Sequence, residues 1–146
     1  MTARVLKACV WVLFLLYLLV LFQYLVMDRY QYTRMRSYNL IPFDSIRSYI
    51  EHKESYNYRT WWMNLFGNLV MLVPFGVLLP LVIAKLRKTW AFVVALLAFN
   101  LGIEIMQFGF RLGSFDVDDL LLNSSGALIA YAFIRVVLTV ARKPST

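Results

Sequence analysis

Four apolar runs, each about twenty residues long, constrain this chain more than any other feature. They cover residues 8–27, 65–84, 90–108 and 120–141. About twenty helical residues, each rising about 1.5 Å, cross about 30 Å of hydrocarbon. Of the 146 residues 61% are hydrophobic and 16% are charged, and a soluble domain this small would leave large apolar patches in water. The sequence predicts an all-α polytopic membrane protein with four transmembrane helices in one domain, 1–146.

The first run resembles a secretory signal peptide in one respect, because Arg4 and Lys7 precede it. Its apolar core is longer than that of a signal peptide, and no small-residue cleavage site ends it. We therefore expect a retained span. The single cysteine, Cys9, lies inside this run, which excludes an internal disulfide and a cysteine-ligated zinc site.

The net charge of +7 comes from fifteen Lys and Arg residues that lie between or beside the apolar runs. They form no continuous basic stripe, so anionic lipid head groups are expected as partners and nucleic acid is not. Basic residues in short loops mark the cytoplasmic side. Seven lie on the side of the termini, whereas segment 109–119 has only Arg111 beside three aspartates. We expect both termini in the cytoplasm of a bacterium, although six basic residues in loop 28–63 favour the opposite orientation.

Loop 28–63 carries the motif Asn39-Leu-Ile-Pro-Phe43, followed by the helix-capping residues Asp44 and Ser45. These residues predict a short helix over 46–51. Its apolar positions share one face, as expected for a helix that lies in the membrane interface. We place this helix in the first extracytoplasmic loop.

Polar residues inside the apolar runs are costly in hydrocarbon and therefore informative. In the third run Asn100, Glu104, Gln107 and Arg111 follow spacings of 4, 3 and 4. At 3.6 residues per turn these four residues lie along one helical face. We expect that face to look into the bundle.

The other runs supply matching polar faces. Asp116, Asp119 and Asn123 share a face at the start of the fourth run, and Asn64 and Asn68 lie one turn apart at the start of the second. Four crossings bring these ends to the same side of the membrane. The predicted polar pocket comprises Asn39, Pro42, Asn64, Asn68, Glu104, Gln107, Arg111, Asp116, Asp119 and Asn123.

Three chemical tasks fit this set, and spacing alone does not choose between them. Carboxylates with amide oxygens suit a divalent cation such as Mg²⁺ or Ca²⁺. The Arg111 guanidinium suits a phosphate or carboxylate. Paired acids can exchange protons.

Structural roles compete with each functional one. Glu104 and Arg111 can form a buried ion pair that orders the bundle. Asp116 and, with more reason, Asp118 can cap the fourth helix. The asparagines can serve as interhelical hydrogen bonds.

Together these motifs resemble the VanZ-like family over roughly residues 37–130. The residues that carry the resemblance are Asn39 to Phe43, Asn64, Gly67, Asn68, Pro74 to Gly76, Glu104, Gln107, Arg111, Asp116, Asp119, Asn123 and Gly126. The resemblance implies a bacterial cell-envelope protein, because the family's namesake is linked to lowered susceptibility to teicoplanin-type glycopeptides.

Three functions remain open. The first is an envelope factor that binds an anionic lipid-linked wall precursor or a lipid head group through Arg111 and the acidic cluster, with or without a bridging cation. The second is a membrane-embedded enzyme that uses Glu104 or Asp119 as general base on a lipid-linked precursor. The third is a small ion- or proton-coupled transporter, which would need oligomers to enclose a path.

Overall fold

The computed structural model describes residues 3–27 and 37–141. This part of the chain is almost entirely helical. Its α-helices are α1 (Ala3–Phe22), α2 (Asp44–Glu51), α3 (Tyr58–Trp62), α4 (Asn68–Met71), α5 (Val73–Val82), α6 (Thr89–Gly109) and α7 (Val117–Val140). Two strands of two residues each, β1 (Tyr38–Asn39) and β2 (Phe115–Asp116), pair in parallel.

In the described part of the chain, four helical segments are long and apolar enough to cross a membrane. We call them spans one to four: Arg4–Val26, Tyr58–Val82, Thr89–Gly109 and Val117–Val140. The predicted all-α membrane architecture is confirmed. Span two begins at Tyr58, earlier than the predicted 65, because Asn57 caps a helix there by accepting a hydrogen bond from the amide of Arg59 at 2.9 Å.

Span two is interrupted twice. A π-helical turn, Met63–Gly67, separates α3 from α4, and the helix breaks again at Leu72 before α5. Pro74 lies in the first turn of α5. A proline there lacks an amide donor, and its ring clashes with the carbonyl four residues earlier, so the helix breaks just ahead of it.

Spans two and four form the centre of the bundle through two glycines. A Cβ added at Gly126 would overlap the carbonyl oxygen of Leu69, and one added at Gly76 would overlap that of Ala127. Small residues at such crossings let helix backbones approach closely in membranes. The two helices therefore meet backbone to backbone.

Aromatic stacking fills the half of the bundle away from the loops. Phe92 and Tyr131 stack with ring centroids 4.0 Å apart, and Phe75 stacks on Phe99 at 4.7 Å. The outer surface is also apolar, since Val20 and Ile129 are 69% and 68% exposed. Side chains of this kind face lipid in a membrane protein, whereas in water they would form a large apolar patch.

The loop helix α2 occupies Asp44–Glu51, which confirms the short helix predicted for loop 28–63. It begins two residues earlier than predicted, so Asp44 and Ser45 lie in its first turn and Phe43 takes the N-cap position. Arg47 pairs with Glu51 across one turn at 2.8 Å on its exposed side. Several basic residues that entered the orientation argument lie outside the described residues: Arg29, Arg34, Arg36, Arg142 and Lys143.

Candidate functional site

The NLIPF motif folds onto the start of span four. Strand β1 places Asn39 beside Asp116, and the Asn39 Oδ1 accepts a hydrogen bond from the amide of Ile41 at 3.0 Å, closing a tight turn. The Asn39 Nδ2 donates to the Ser45 Oγ at 3.0 Å and reaches the Asp116 Oδ1 at 3.5 Å. This asparagine therefore joins the loop, the start of α2 and the start of span four.

Asp116 is a buried junction of three elements, with 8% of its surface exposed. Its Oδ1 accepts from the amide of Asp118 at 2.9 Å, which makes it the N-cap of α7. Its Oδ2 accepts from the Ser45 hydroxyl at 2.6 Å. Its own amide donates to the Glu104 Oε2 of span three at 3.4 Å. Glu104 itself is 2% exposed.

Asp118 has a role that the sequence did not indicate. The expectation that it caps its own helix is wrong, because Asp116 holds that position. The Asp118 carboxylate instead accepts hydrogen bonds from the amides of Phe43, at 2.5 Å, and Ile46, at 3.0 Å. These are the amides of the N-cap residue Phe43 and of the first turn of α2, which have no partner within the helix. A carboxylate in span four thus caps the loop helix, and it is 1% exposed.

Span two closes a second side of the site. The Asn68 Nδ2 donates to the Asp119 Oδ1, and the Asn64 Nδ2 donates to the Tyr49 hydroxyl of α2 at 2.8 Å. Burial, with the nearby charges of Asp119 and Asp116 and the neighbouring Tyr56, raises the pKa of Tyr49 to about 12. The Tyr49 hydroxyl therefore stays protonated at neutral pH.

A deeper polar layer joins spans three and four. The Asn100 Nδ2 donates to the carbonyl of Leu120 and to the Ser124 Oγ, both at 3.0 Å, while its Oδ1 accepts from the Asn123 Nδ2 at 3.3 Å. Within the described residues, two buried side-chain atoms have no hydrogen-bond partner: the Asn123 Oδ1 in this layer, and the Gln107 Nε2 nearer the end of span three. Such atoms can bind a water molecule or a polar ligand group.

Arg111 lies apart from this network. The amide of Leu112 donates to the carbonyl of Gln107 at 2.8 Å and that of Arg111 to Phe108 at 3.3 Å, which is the Schellman pattern that ends a helix. Arg111 occupies the left-handed position of this turn with φ 59°. Span three ends before it, so the predicted helical stacking of Arg111 on Glu104 does not form.

The ten predicted pocket residues thus divide into two groups. Eight belong to the site: hydrogen bonds hold Asn39, Asn64, Asn68, Glu104, Asp116, Asp119 and Asn123 in the network, and Gln107 is buried near the end of span three. Pro42 and Arg111 are exposed. Among ion pairs between described residues, none joins Arg111 to Glu104.

The described carboxylates do not converge as a set of metal ligands. Among the described residues, no group of three or more His, Cys, Asp or Glu side chains is arranged to hold a metal ion. Asp116 and Asp118 already accept hydrogen bonds from the loop, as expected for structural carboxylates. A Mg²⁺ or Ca²⁺ site stays a hypothesis from the sequence.

The fold and the site together define a small polytopic membrane protein. A polar network lies at one end of its helices and is covered by the loop helix α2. Comparison with known proteins agrees. The model of the VanZ/LLP1 family matches residues 8–138, so the chain belongs to that family. Protein VanZ of Enterococcus faecium is 30% identical over 115 residues, covering 76% of this chain. The chain spans about 61% of the length of that relative. No solved structure gives a significant match.

Proposed function

We propose that this protein lies in the bacterial plasma membrane and lowers susceptibility to teicoplanin-type glycopeptides by binding an anionic component of the envelope. The component is a lipid-linked wall precursor or a lipid head group, bound at the outer face where the NLIPF loop, Arg111 and the polar network lie. The proposal draws its antibiotic part from the family. Its binding part depends on the geometry of Arg111.

The conformation of Arg111 is the observation that carries the proposal. A residue other than glycine in the left-handed region costs roughly 1–2 kcal/mol, and glycine is the usual residue at this position of a Schellman turn. Backbone strain of this kind points to a functional constraint on the side chain. Arg111 is exposed beside the loops, where its guanidinium can form two parallel hydrogen bonds to a phosphate or carboxylate.

The contacts of the carboxylates favour binding over acid–base catalysis. The two candidates for a general base are engaged, since Glu104 accepts from the amide of Asp116 and Asp119 accepts from Asn68. Asp118 accepts two backbone hydrogen bonds, and Asp116 accepts from a backbone amide and from Ser45. Both acids therefore act as acceptors that hold the loop in place. The network is best suited to positioning an exposed surface formed by the loop and Arg111.

The depth of the polar layer favours binding over transport. Polar contacts extend from Asp116 inward to Asn100 and Asn123. Beyond this level Leu96 and Phe92 are fully buried, and Phe92 stacks on Tyr131. A polar path across one bundle would have to pass through this apolar packing, whereas a binding site needs only one open end.

The distribution of charge supports the proposed outer location. Lys85, Arg87 and Lys88 lie in the short connection between spans two and three, at the end opposite the carboxylates. Basic residues in short loops favour the cytoplasm. The site is then extracytoplasmic, on the side where glycopeptides act on the envelope.

The test compares matched arginine variants in a susceptible bacterium that lacks this protein. Wild-type protein, Arg111→Gln, Arg111→Gly and the control Arg59→Gln are expressed at equal levels, checked by immunoblot. Arg59 is also exposed but lies at the start of α3. We expect both Arg111 variants to return the inhibitory concentration of teicoplanin to that of the empty vector, while Arg59→Gln protects as the wild type does.

The glycine variant separates the side chain from the backbone. Glycine relieves the left-handed conformation and removes the guanidinium, so its loss of protection cannot come from a distorted turn. Protection by Arg111→Gly and Arg111→Gln equal to that of the wild type would falsify the assignment of Arg111. If the wild type itself gives no protection, the antibiotic part of the proposal is wrong.

A further inference from the structure

An apolar groove of about 450 Å³ lies on the outside of the bundle, between spans one and two. Span one lines it with Tyr17 and Leu21, and span two with Trp62, Phe66, Val70 and Pro74. The Tyr17 hydroxyl donates to the carbonyl of Met71 at 3.1 Å, so its polar atom is already paired. The groove therefore presents a hydrocarbon surface to the lipid around it.

The length of the groove matches one leaflet. Its lining on span two runs from Trp62 to Pro74, which at 1.5 Å per residue is about 18 Å. Half of a hydrocarbon core is about 15 Å thick. One extended acyl chain of the leaflet nearest the loops fits this length.

A small polar cup lies next to the Trp62 end of the groove. It has a volume of about 280 Å³ and is lined by Lys53, Glu54, Tyr56, Tyr58 and Trp61. The Lys53 ammonium lies over the Trp61 ring, 4.5 Å from its centroid. Cation–π contact holds this ammonium at the level where tryptophans mark the membrane interface.

Stacked aromatic rings connect the cup to the groove. Trp61 lines the cup and Trp62 lines the groove, and their ring centroids are 6.3 Å apart. Trp62 also stacks on Phe66 in the groove at 4.4 Å. A cationic position therefore lies at one end of an acyl-sized groove.

We propose that the groove and the cup together bind one anionic phospholipid of the leaflet nearest the loops. One acyl chain lies between spans one and two, and the phosphate lies at Lys53. Between residues 47 and 59, Arg47 and Glu51 pair with each other. This pairing leaves the exposed Lys53 and Arg59 against Glu54, which favours an anionic over a zwitterionic head group. This site is separate from the polar network beneath α2 and does not depend on its function.

The test uses purified protein in phosphatidylcholine vesicles that contain phosphatidylglycerol with a photoactivatable diazirine on one acyl chain. Labelled peptides are mapped by mass spectrometry. Gly67 lines the groove, and a Cβ added there meets Met63 at an ordinary 3.8 Å. Gly67→Phe should fill the groove and lower labelling of span two by about fivefold or more, a change equivalent to about 1 kcal/mol. The control is Gly102→Phe, since a Cβ at Gly102 meets nothing within 4 Å.

A second pair of variants tests the head group without altering the bundle. Lys53→Gln should reduce the preference for the phosphatidylglycerol probe over a phosphatidylcholine probe by about fivefold, since one lysine near a membrane surface contributes about 1 kcal/mol. The exposed Lys85, at the other end of the bundle, provides the control Lys85→Gln. The proposal is overturned if Gly67→Phe is labelled as strongly as Gly102→Phe, or if the wild type labels equally with both probes.

Discussion

Removing one charge from the Asp118 carboxylate should release the loop helix while the four spans stay folded. This side chain is 1% exposed and accepts from the amides of Phe43 and Ile46. In Asp118→Asn one acceptor oxygen becomes an NH₂ group that faces an amide N–H. One charge-assisted hydrogen bond is lost, worth about 1.5–3 kcal/mol.

That free energy corresponds to opening of α2 that is about 10- to 150-fold more frequent, at 1.4 kcal/mol per tenfold. Hydrogen exchange followed by mass spectrometry measures such local opening in detergent-solubilised protein. We expect faster exchange in peptides that cover residues 43–51 and unchanged exchange in α6. Asp44→Asn is the matched control, because Asp44 is an exposed acid in the first turn of the same helix.

The reasoning is refuted if residues 43–51 exchange at the wild-type rate in Asp118→Asn, or if Asp44→Asn accelerates exchange as much. Faster exchange throughout the bundle would show that Asp118 supports the whole fold and not the loop helix in particular.

Three further perturbations test other parts of the structure. Gly126→Ala should destabilise the bundle by about 1–3 kcal/mol through overpacking, whereas the control Gly102→Ala should not. Circular dichroism should show a lower midpoint of thermal unfolding for Gly126→Ala, and equal midpoints for the two variants would contradict the close crossing of spans two and four. Tyr49→Phe should remove a phenolate absorbance step with a midpoint near pH 12. Because the folded pKa of Tyr49 exceeds the usual value of 10.0, docking of α2 in the wild type should weaken as pH rises from about 10 to 12. A midpoint near pH 10 in the difference between the wild-type and Tyr49→Phe titrations would contradict the burial of Tyr49. Arg111→Gly should raise the free energy of unfolding by about 0.5–1 kcal/mol. This gain is the left-handed strain that glycine relieves, reduced by the extra conformational entropy that glycine gives to the unfolded chain. A lower thermal midpoint would contradict the strain.

The four spans could be predicted because their signal is local and long. About twenty apolar residues leave few alternatives in a chain, and three of the four spans lie close to their predicted positions. The start of span two was predicted too late because Tyr58 and Arg59 look like loop residues, although Asn57 caps a helix there. The strand pair could not be predicted, since two residues in each strand give no periodicity.

The candidate site was only partly predictable for a related reason. Helical spacing grouped Glu104 with Asn100 correctly on the buried face of span three, but it failed for Arg111 because the helix ends at Gly109. The role of Asp118 was missed because its partners are backbone amides distant in the chain, at Phe43 and Ile46. Backbone amides carry no side-chain signature that a sequence can reveal.

Because Asp118 binds the loop through backbone amides, the side chains of the loop can be changed without loss of these contacts. The carboxylate binds amide groups that nearly every residue possesses, so docking places little demand on the identity of the neighbouring side chains. Leu40, Ile41 and Phe43 are 61%, 65% and 63% exposed. A library randomised at these three positions should keep the loop attached while changing the surface that it presents. Phe43, with φ 68°, should accept Asn or Gly most readily. The four spans and Asp118 therefore hold the loop in a fixed position, while the side chains that the loop exposes can vary.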